Sequence, residues 1–308
     1  MKPSSDFSAA GTAGSFKRLF RRRPGAVWWP PHEPQLTLGR LGELEVRLAA
    51  TRKDLHHVQK LRYRVFYKEL AAEADAVTRV RRRDADGFDA ICDHLLVLDH
   101  GGKNRRRPKV VGTYRLLRQD MAARHGGFYS QSEFELTPLL AGRPADFRFL
   151  ELGRSCVLKP YRNRRTLELL WQGIWAYACR HRIDAMFGCA SFAGTEPRAH
   201  ALGLSFLYHH ARAEADWLVR PHAHLRTEMN LMDAADIDPR AALRALPPLI
   251  KGYLRVGAKI GDGAVIDHQF RTIDVAVVMP VSGIDKRYLT HFGNKPAAAP
   301  AMTALRVN

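Results

Sequence analysis

No stretch of this chain has the roughly 20 consecutive apolar residues that a membrane-crossing helix needs. Cysteine is scarce. Cys92, Cys156, Cys179 and Cys189 form no C-x-x-C pair, so neither a zinc ribbon nor a small disulfide framework is expected, and they read as reduced thiols. The 14 histidines include no H-E-x-x-H, and the expectation is that no metal is bound. G-x-G-x-x-G and P-loop motifs are missing too, which argues against a doubly wound nucleotide-binding domain. A signal-peptide core is also lacking: Ala26-Val27-Trp28-Trp29, after a basic cluster, halts at Pro30-Pro31. A cytoplasmic protein is expected. Acid is in deficit as well, with 31 Asp+Glu against 49 Lys+Arg, a formal charge of +18. Such a balance speaks of partners, whether nucleic acid, anionic lipid or an acidic protein, and not of fold.

What is present suffices for a folded domain, since 46% of residues are hydrophobic and 9% aromatic. Residues 1–38 read as a basic, flexible leader in which Phe16, Phe20, Trp28 and Trp29 interleave with arginines, as in interfacial membrane segments. Glu45 to Ala49 alternates like a short strand. From Arg52 to Leu70, Leu55, Val58, Leu61, Val65 and Phe66 recur at helical spacing. Two strand-like runs, His94 to Asp99 and Val110 to Leu117, predict an antiparallel hairpin. Phe147 to Leu158 predicts a long strand, Arg164 to His181 a helix, and Ala185 to Ser191 a central strand covered on both sides. A helix over Glu196 to Ala211 and a strand over Ile273 to Val281 follow; residues 294–308 read as a flexible tail. The fold class is mixed α/β (α+β), one central, mostly antiparallel sheet flanked by helices.

Charges fall where core is expected. Arg62 ends the first helix, Asp86 and Asp89 precede the hairpin, Arg115 sits inside a strand, and Glu151 and Arg154 lie three apart in another. Strict alternation points Glu151 and Arg154 to opposite faces, but a bulge near Gly153 would bring them together. Buried charges must be paired or functional. One reading is therefore a buried ionic network that holds the helix to the sheet; the other is a catalytic site.

Arg62-x-x-x-Phe66, Asp86-x-x-Asp89, Arg115 in Gly-x-x-Arg-Leu-Leu and Glu151-x-x-Arg154 resemble the acyl-homoserine lactone synthases, which have the N-acetyltransferase (GNAT) fold. The chain is more similar to the L-ornithine N(alpha)-acyltransferases of ornithine-lipid synthesis. That likeness is carried by Leu61 to Phe66, Phe88-Asp89-x-x-Cys92-Asp93-His94, Glu151 to Val157, Ala190-Ser191-Phe192-x-Gly194-Thr195 and Leu246 to Tyr253. It spans residues 42–293, which it marks as a GNAT-like domain with a C-terminal extension.

The resemblance implies transfer of a 3-hydroxyacyl chain from acyl carrier protein to the α-amine of L-ornithine, giving lyso-ornithine lipid, with no bound cofactor. Glu151 is then the base or amine-binding residue. Arg154, Arg115 and Arg62 would hold the amino-acid carboxylate beside Phe66, and Asp86 and Asp89 would receive amines or order the loop. Cys156, Val157 and Leu158 would border the pantetheine arm, with backbone N–H groups near Cys156 and Val157 on the oxyanion. Arg162, Arg164, Arg165 and Thr166, at the start of the following helix, would take the pantetheine phosphate. The acidic carrier protein would meet Arg81 to Arg83, Arg105 to Arg107 and Arg162 to Arg165, and an anionic membrane surface would attract the same charge at the inner face of the membrane. No nucleic acid is expected. Two other readings compete. A synthase using S-adenosylmethionine shares the charged set, though not the C-terminal third; a non-catalytic basic protein that binds membrane or nucleic acid accounts for the charge alone.

Overall fold

Thr51 starts the first helix because its hydroxyl accepts from the Asp54 amide while the Asp54 carboxylate accepts from Thr51 N–H, a reciprocal cap. Arg47 then forks onto Asp54 at 2.8 and 3.1 Å, tying that helix (α1, Arg52–Tyr63) to the strand before it. The computed structural model describes residues 36–102 and 108–284. The expected membrane-anchor aromatics, Arg105 to Arg107 and the tail lie outside those residues.

Strand β1 (Thr37–Leu41) opens the sheet, starting in the last two residues of the stretch read as leader and ending ahead of residue 42. It is followed by β2 (Leu44–Leu48), α1, α2 (Ala76–Arg81), β3 (Asp93–Asp99), β4 (Lys109–Arg118) and α3 (Gln119–Arg124). Next come β5 (Phe134–Glu135), α4 (Thr137–Leu140), β6 (Phe149–Val157), α5 (Arg164–Arg180), β7 (Ala185–Ala193) and α6 (Ala201–His210). The last third holds β8 (Arg220–Pro221), β9 (Arg226–Thr227), α7 (Pro239–Ala245), α8 (Pro248–Arg255), β10 (Lys259–Asp267) and β11 (Thr272–Pro280). The large sheet runs β1-β2-β3-β4-β6-β7-β11-β10-β9, and among its ladders only β6–β7 is parallel. The expected mixed, mostly antiparallel sheet is what forms.

Two deviations from the sequence pattern matter for the site. The helix expected to reach Leu70 changes at Arg64 into wide π-type turns through Glu69, and these bring Phe66 and Tyr67 against Phe270, with ring centroids 5.6 and 6.0 Å apart. β10 was not legible in the sequence because Gly261, Asp262 and Gly263 interrupt its pattern; the register shifts there and Gly263 takes φ +106°.

Helix α5 covers the sheet face that carries Val46 and Leu95, and Gly173 lets it approach them closely. Leu95 stands opposite Tyr114, so Tyr114 and Leu116 share that face. Arg115, one residue out of step, points to the other face, where α1 packs. There Arg62, fully buried, forks onto Asp89 at 2.8 and 2.7 Å, and Gln59 reaches the same carboxylate. Burial alone would raise the Asp89 pKa, but Arg62 outweighs it and holds the carboxyl well below its usual range.

The parallel pairing of β6 and β7 runs from Phe149↔Ala185 to Leu152↔Gly188 and stops. Beyond it β6 stays with β4 and β7 stays with β11, so the two strands part. Gly188 sits at the fork, where a Cβ would overlap the Leu152 carbonyl oxygen.

Asp89→Asn should destabilise the fold by about 3–5 kcal/mol at neutral pH, because it leaves Arg62 buried and uncompensated. The gap should shrink as pH falls below about 3.9, where the wild-type loses the contribution of its own ionised Asp89; urea titrations followed by circular dichroism would read both. Gly188→Ala forces backbone apart at the fork and should destabilise by about 1–3 kcal/mol, or more. An unchanged melting temperature for that variant would contradict the close approach.

Candidate active site at the strand fork

The fork opens onto a cavity of about 220 Å³ that reaches both faces of the sheet. Gly153, Arg154 and Ser155 line it from β6, Cys189, Ala190 and Ser191 from β7, and Thr272 and Asp274 from β11. Arg115, Glu151, Tyr129, Phe66 and Phe270 complete the wall on the α1 side. Of the residues singled out in the sequence, Glu151, Arg154, Arg115 and Phe66 thus come together. Arg62, Asp86, Asp89 and Cys156 stand outside the lining.

The anticipated bulge is present. β4 pairs Thr113 with Cys156 and Arg115 with Gly153, so β6 carries one extra residue between them. Arg154 absorbs it in the left-handed region, φ +49°, uncommon for a residue with a Cβ. Leu117 opposes Glu151 and Arg115 opposes Gly153, which puts Glu151 on the Arg115 face. The bulge turns Arg154 onto the same face, where its guanidinium lies 4.8 Å from the Tyr129 ring centroid and 4.5 Å from that of Phe270.

The buried and half-buried charges form a closed ring. Arg62 meets Asp84 and Asp89, Arg154 meets Asp84 and Asp86 at 3.5 and 3.3 Å, and Arg115 meets Asp86 and Asp89 at 2.7 and 3.5 Å. Three arginines alternate with three aspartates, so the ring is electrically balanced. Burial pushes the Asp86 pKa up, yet Arg115 and Arg154 together hold it below its usual value. Asp86 also caps the turn Gly87–Ala90 by accepting from Phe88 N–H. Both the structural and the site reading of these charges therefore have a physical basis: the ring anchors α1, the 84–89 loop, β4 and the bulge, and presents Arg115 and Arg154 to the cavity.

Glu151 stands apart from the ring. Its two oxygens accept from Tyr129 N–H at 2.8 Å and Ser130 N–H at 2.7 Å. Burial raises its pKa, and these hydrogen bonds and Arg115 only temper the rise. A carboxyl with an elevated pKa at the point where two strands part is a suitable proton acceptor.

Sequence reading missed Tyr129, Phe270, Asp84 and Asp274. Tyr129 lies in an irregular stretch with no periodic signal. Asp274, however, is the single charge in the apolar strand β11, the same kind of signal that marked Arg115 and Glu151. The Cys156 thiol is pushed by burial up to about 12, which leaves it a neutral packing group. Val157 is half-buried, Leu158 and Thr166 are buried, and Arg162, Arg164 and Arg165 are exposed around the start of α5. There Asn163 caps the helix by accepting from Thr166 N–H. Among the described residues no group of three or more His, Cys, Asp or Glu is placed to hold a metal ion, and no helix is long and apolar enough to cross a membrane.

A family model described as an acetyltransferase (GNAT) domain matches residues 61–172. The L-ornithine N(alpha)-acyltransferase of Rhizobium meliloti (strain 1021) is 54% identical over 256 residues, covering 83% of this chain and 86% of that one. The protein of the same name in Brucella abortus (strain 2308) is 52% identical over 258 residues, covering 84% and 92%. Among solved structures, an N-acyl amino acid synthase from uncultured soil microbes matches at TM-score 0.43 and 10% identity, over 78% of this chain and 91% of that one. The acyl-homoserine lactone synthase LasI matches at 0.41 and 13%, over 79% and 96%. With relatives of this identity over most of its length, the chain belongs to the L-ornithine N(alpha)-acyltransferase family and is an acyltransferase with a GNAT domain.

Proposed function

We propose that the enzyme transfers a (3-hydroxy)fatty acyl chain from acyl carrier protein to the α-amine of L-ornithine, producing lyso-ornithine lipid. The observation that carries this reading is the cavity at the fork, where Glu151, Arg115 and Arg154 meet an unpaired strand edge. The α-nitrogen attacks the thioester carbonyl, and its proton passes to Glu151 directly or through water. Backbone N–H groups along β6 near Cys156 and Val157 stabilise the oxyanion. Collapse breaks the C–S bond and forms the amide, and the departing pantetheine thiolate takes up the proton that Glu151 received. Arg154 and Arg115 hold the acceptor's carboxylate, while Arg62, Asp86 and Asp89 keep them in place. Phe66 packs beside the substrate.

The donor's phosphopantetheine arm runs along Cys156, Val157 and Leu158, with its single phosphodiester near Thr166 and the exposed Arg162, Arg164 and Arg165. Exposed Arg81 and Arg82 add positive surface for an acidic carrier. A peripheral position on an anionic membrane suits a lipid product. Its support is the exposed pair Val77 and Val80, the latter 83% exposed, set among Arg79, Arg81 and Arg82. Leu70, also exposed, lines the cavity and links that surface to the site.

Purified protein incubated with 3-hydroxyacyl carrier protein, a panel of amino acids and S-adenosylmethionine should yield monoacylated ornithine by mass spectrometry. A homoserine lactone product would reassign the acceptor, and no acylated amine at all would overturn the reading. Glu151→Gln should lower kcat by about 10²–10⁴. In the wild type, kcat/KM should climb with pH through a limb set above the usual carboxylate value of about 4.3, because burial raises the Glu151 pKa, and the variant should lose that limb. A folded Glu151→Gln protein with the wild-type pH profile would remove Glu151 from the chemistry.

A further inference from the structure

Asp274 is unlike the other acids of the site. It is only 8% exposed, it lines the cavity, and its Oδ1 has no hydrogen-bond partner among the described residues. Ladder pairing places it opposite Ser191, on the face that Glu151 and Arg115 occupy. In sheet order it stands on the far side of the fork from Arg154. The aspartates of the ring each have a cation: Asp84 and Asp89 meet Arg62, and the half-buried Asp86 meets Arg115. Burial pushes the Asp274 carboxyl up from its ordinary range. Ser191 and Thr272 beside it temper that rise, Asp267 adds to it, and Arg154 opposes it only weakly from across the cavity.

The charge balance points the same way. Arg115 and Arg154 are compensated inside the ring of three arginines and three aspartates, leaving Glu151, Asp267 and Asp274 as the acids of the cavity wall that form no ion pair among the described residues. Asp267 is occupied in part, because its Oδ1 accepts from the amides of Gln269 and Phe270 in the β10–β11 turn. Glu151 is held by two backbone amides. Asp274 lines the cavity and keeps one buried oxygen without a hydrogen-bond partner among the described residues. On a protein of charge +18, this pocket is locally acidic. It fits a substrate bearing one net positive charge better than a neutral amino acid.

We propose that Asp274 receives the distal ammonium of the acceptor amino acid and so selects a cationic substrate, while Arg115 and Arg154 on the opposite wall take its carboxylate. The inference rests on the reading of ornithine as acceptor. It adds a selectivity residue that acts on the substrate's far end and takes no part in the proton transfer at the α-amine. The fold has already desolvated this carboxylate, so an ammonium reaching it meets a charge that lacks a cation, with Ser191 and Thr272 beside it as the competing polar groups.

The test compares L-ornithine with L-norvaline, which has the same carbon chain and lacks the distal ammonium. In the wild type, kcat/KM should favour ornithine by at least about tenfold, the equivalent of ~1.4 kcal/mol. Asp274→Asn should collapse that ratio, chiefly through the KM for ornithine, and Asp274→Glu should keep a preference. Calorimetric titration of ornithine into the donor-free enzyme should show the same loss of affinity in Asp274→Asn. That arm separates the two readings: ornithine binding that depends on Asp274 without any acyl transfer would sink the proposed donor and keep this assignment. An unchanged ornithine-to-norvaline ratio would overturn it, as would equal slowing of both substrates at unaltered KM. Because the raised carboxyl costs stability once ionised, Asp274→Asn should melt no lower than wild type at neutral pH, and the two melting curves should converge below about pH 3.9. A lower melting temperature at neutral pH would mark Asp274 as a structural group instead.

Discussion

The site depends on one constraint, the parting of β6 from β7 after Leu152 and Gly188. Were the parallel ladder to continue, the edge of β6 would be spent on pairing and the cavity would close. Because each strand keeps its outer neighbour, the sheet remains continuous in order while opening at its centre. Gly188 marks the last point of contact. Only a residue without a side-chain carbon fits against the Leu152 carbonyl there, so the narrowest part of the fork is written into the sequence as a single glycine.

A second constraint places the charges around that opening. Arg154 is held in a left-handed conformation by the bulge, and the ring through Asp84 and Asp86 fixes its guanidinium on the Glu151 face. Buried arginines of this kind contribute little to stability by themselves, since desolvation offsets attraction. Their value lies in geometry. The ring is neutral as a whole, it joins four separate segments of chain, and it leaves Glu151 and Asp274 as acids with other duties. In the proposed reaction this division separates positioning, proton transfer and recognition of the substrate's far end.

Much of this was legible in the sequence because charge in an apolar strand is a loud signal. Arg115, Glu151 and Arg154 declared themselves that way, and Gly153 pointed to the bulge that unites two of them. The large strands β3, β4, β6, β7 and β11 were visible from their apolar patterns for the same reason. What stayed hidden depends on contacts between distant segments. β10 is disguised by the glycines of its own bulge, and β1 is short, with Gly39 lying under Gln172 of α5. The π-type turns after Tyr63 share the apolar pattern of an α-helix, so no periodicity distinguishes them. Asp84 and Tyr129 matter because the fold brings Asp84 to Arg62 and Arg154, and Tyr129 to Arg154 and Glu151. Asp274 carried the same signal as Arg115 and Glu151, a lone charge in a visible apolar strand.

A crystal structure of the protein with L-ornithine and an unreactive thioether analogue of a 3-hydroxyacyl pantetheine tests the central claim most directly. The account predicts the acyl end of the analogue between β6 and β7 beyond Leu152 and Gly188, with the ornithine α-nitrogen turned toward Glu151. Ligands bound elsewhere on the protein, with the fork vacant, would contradict it.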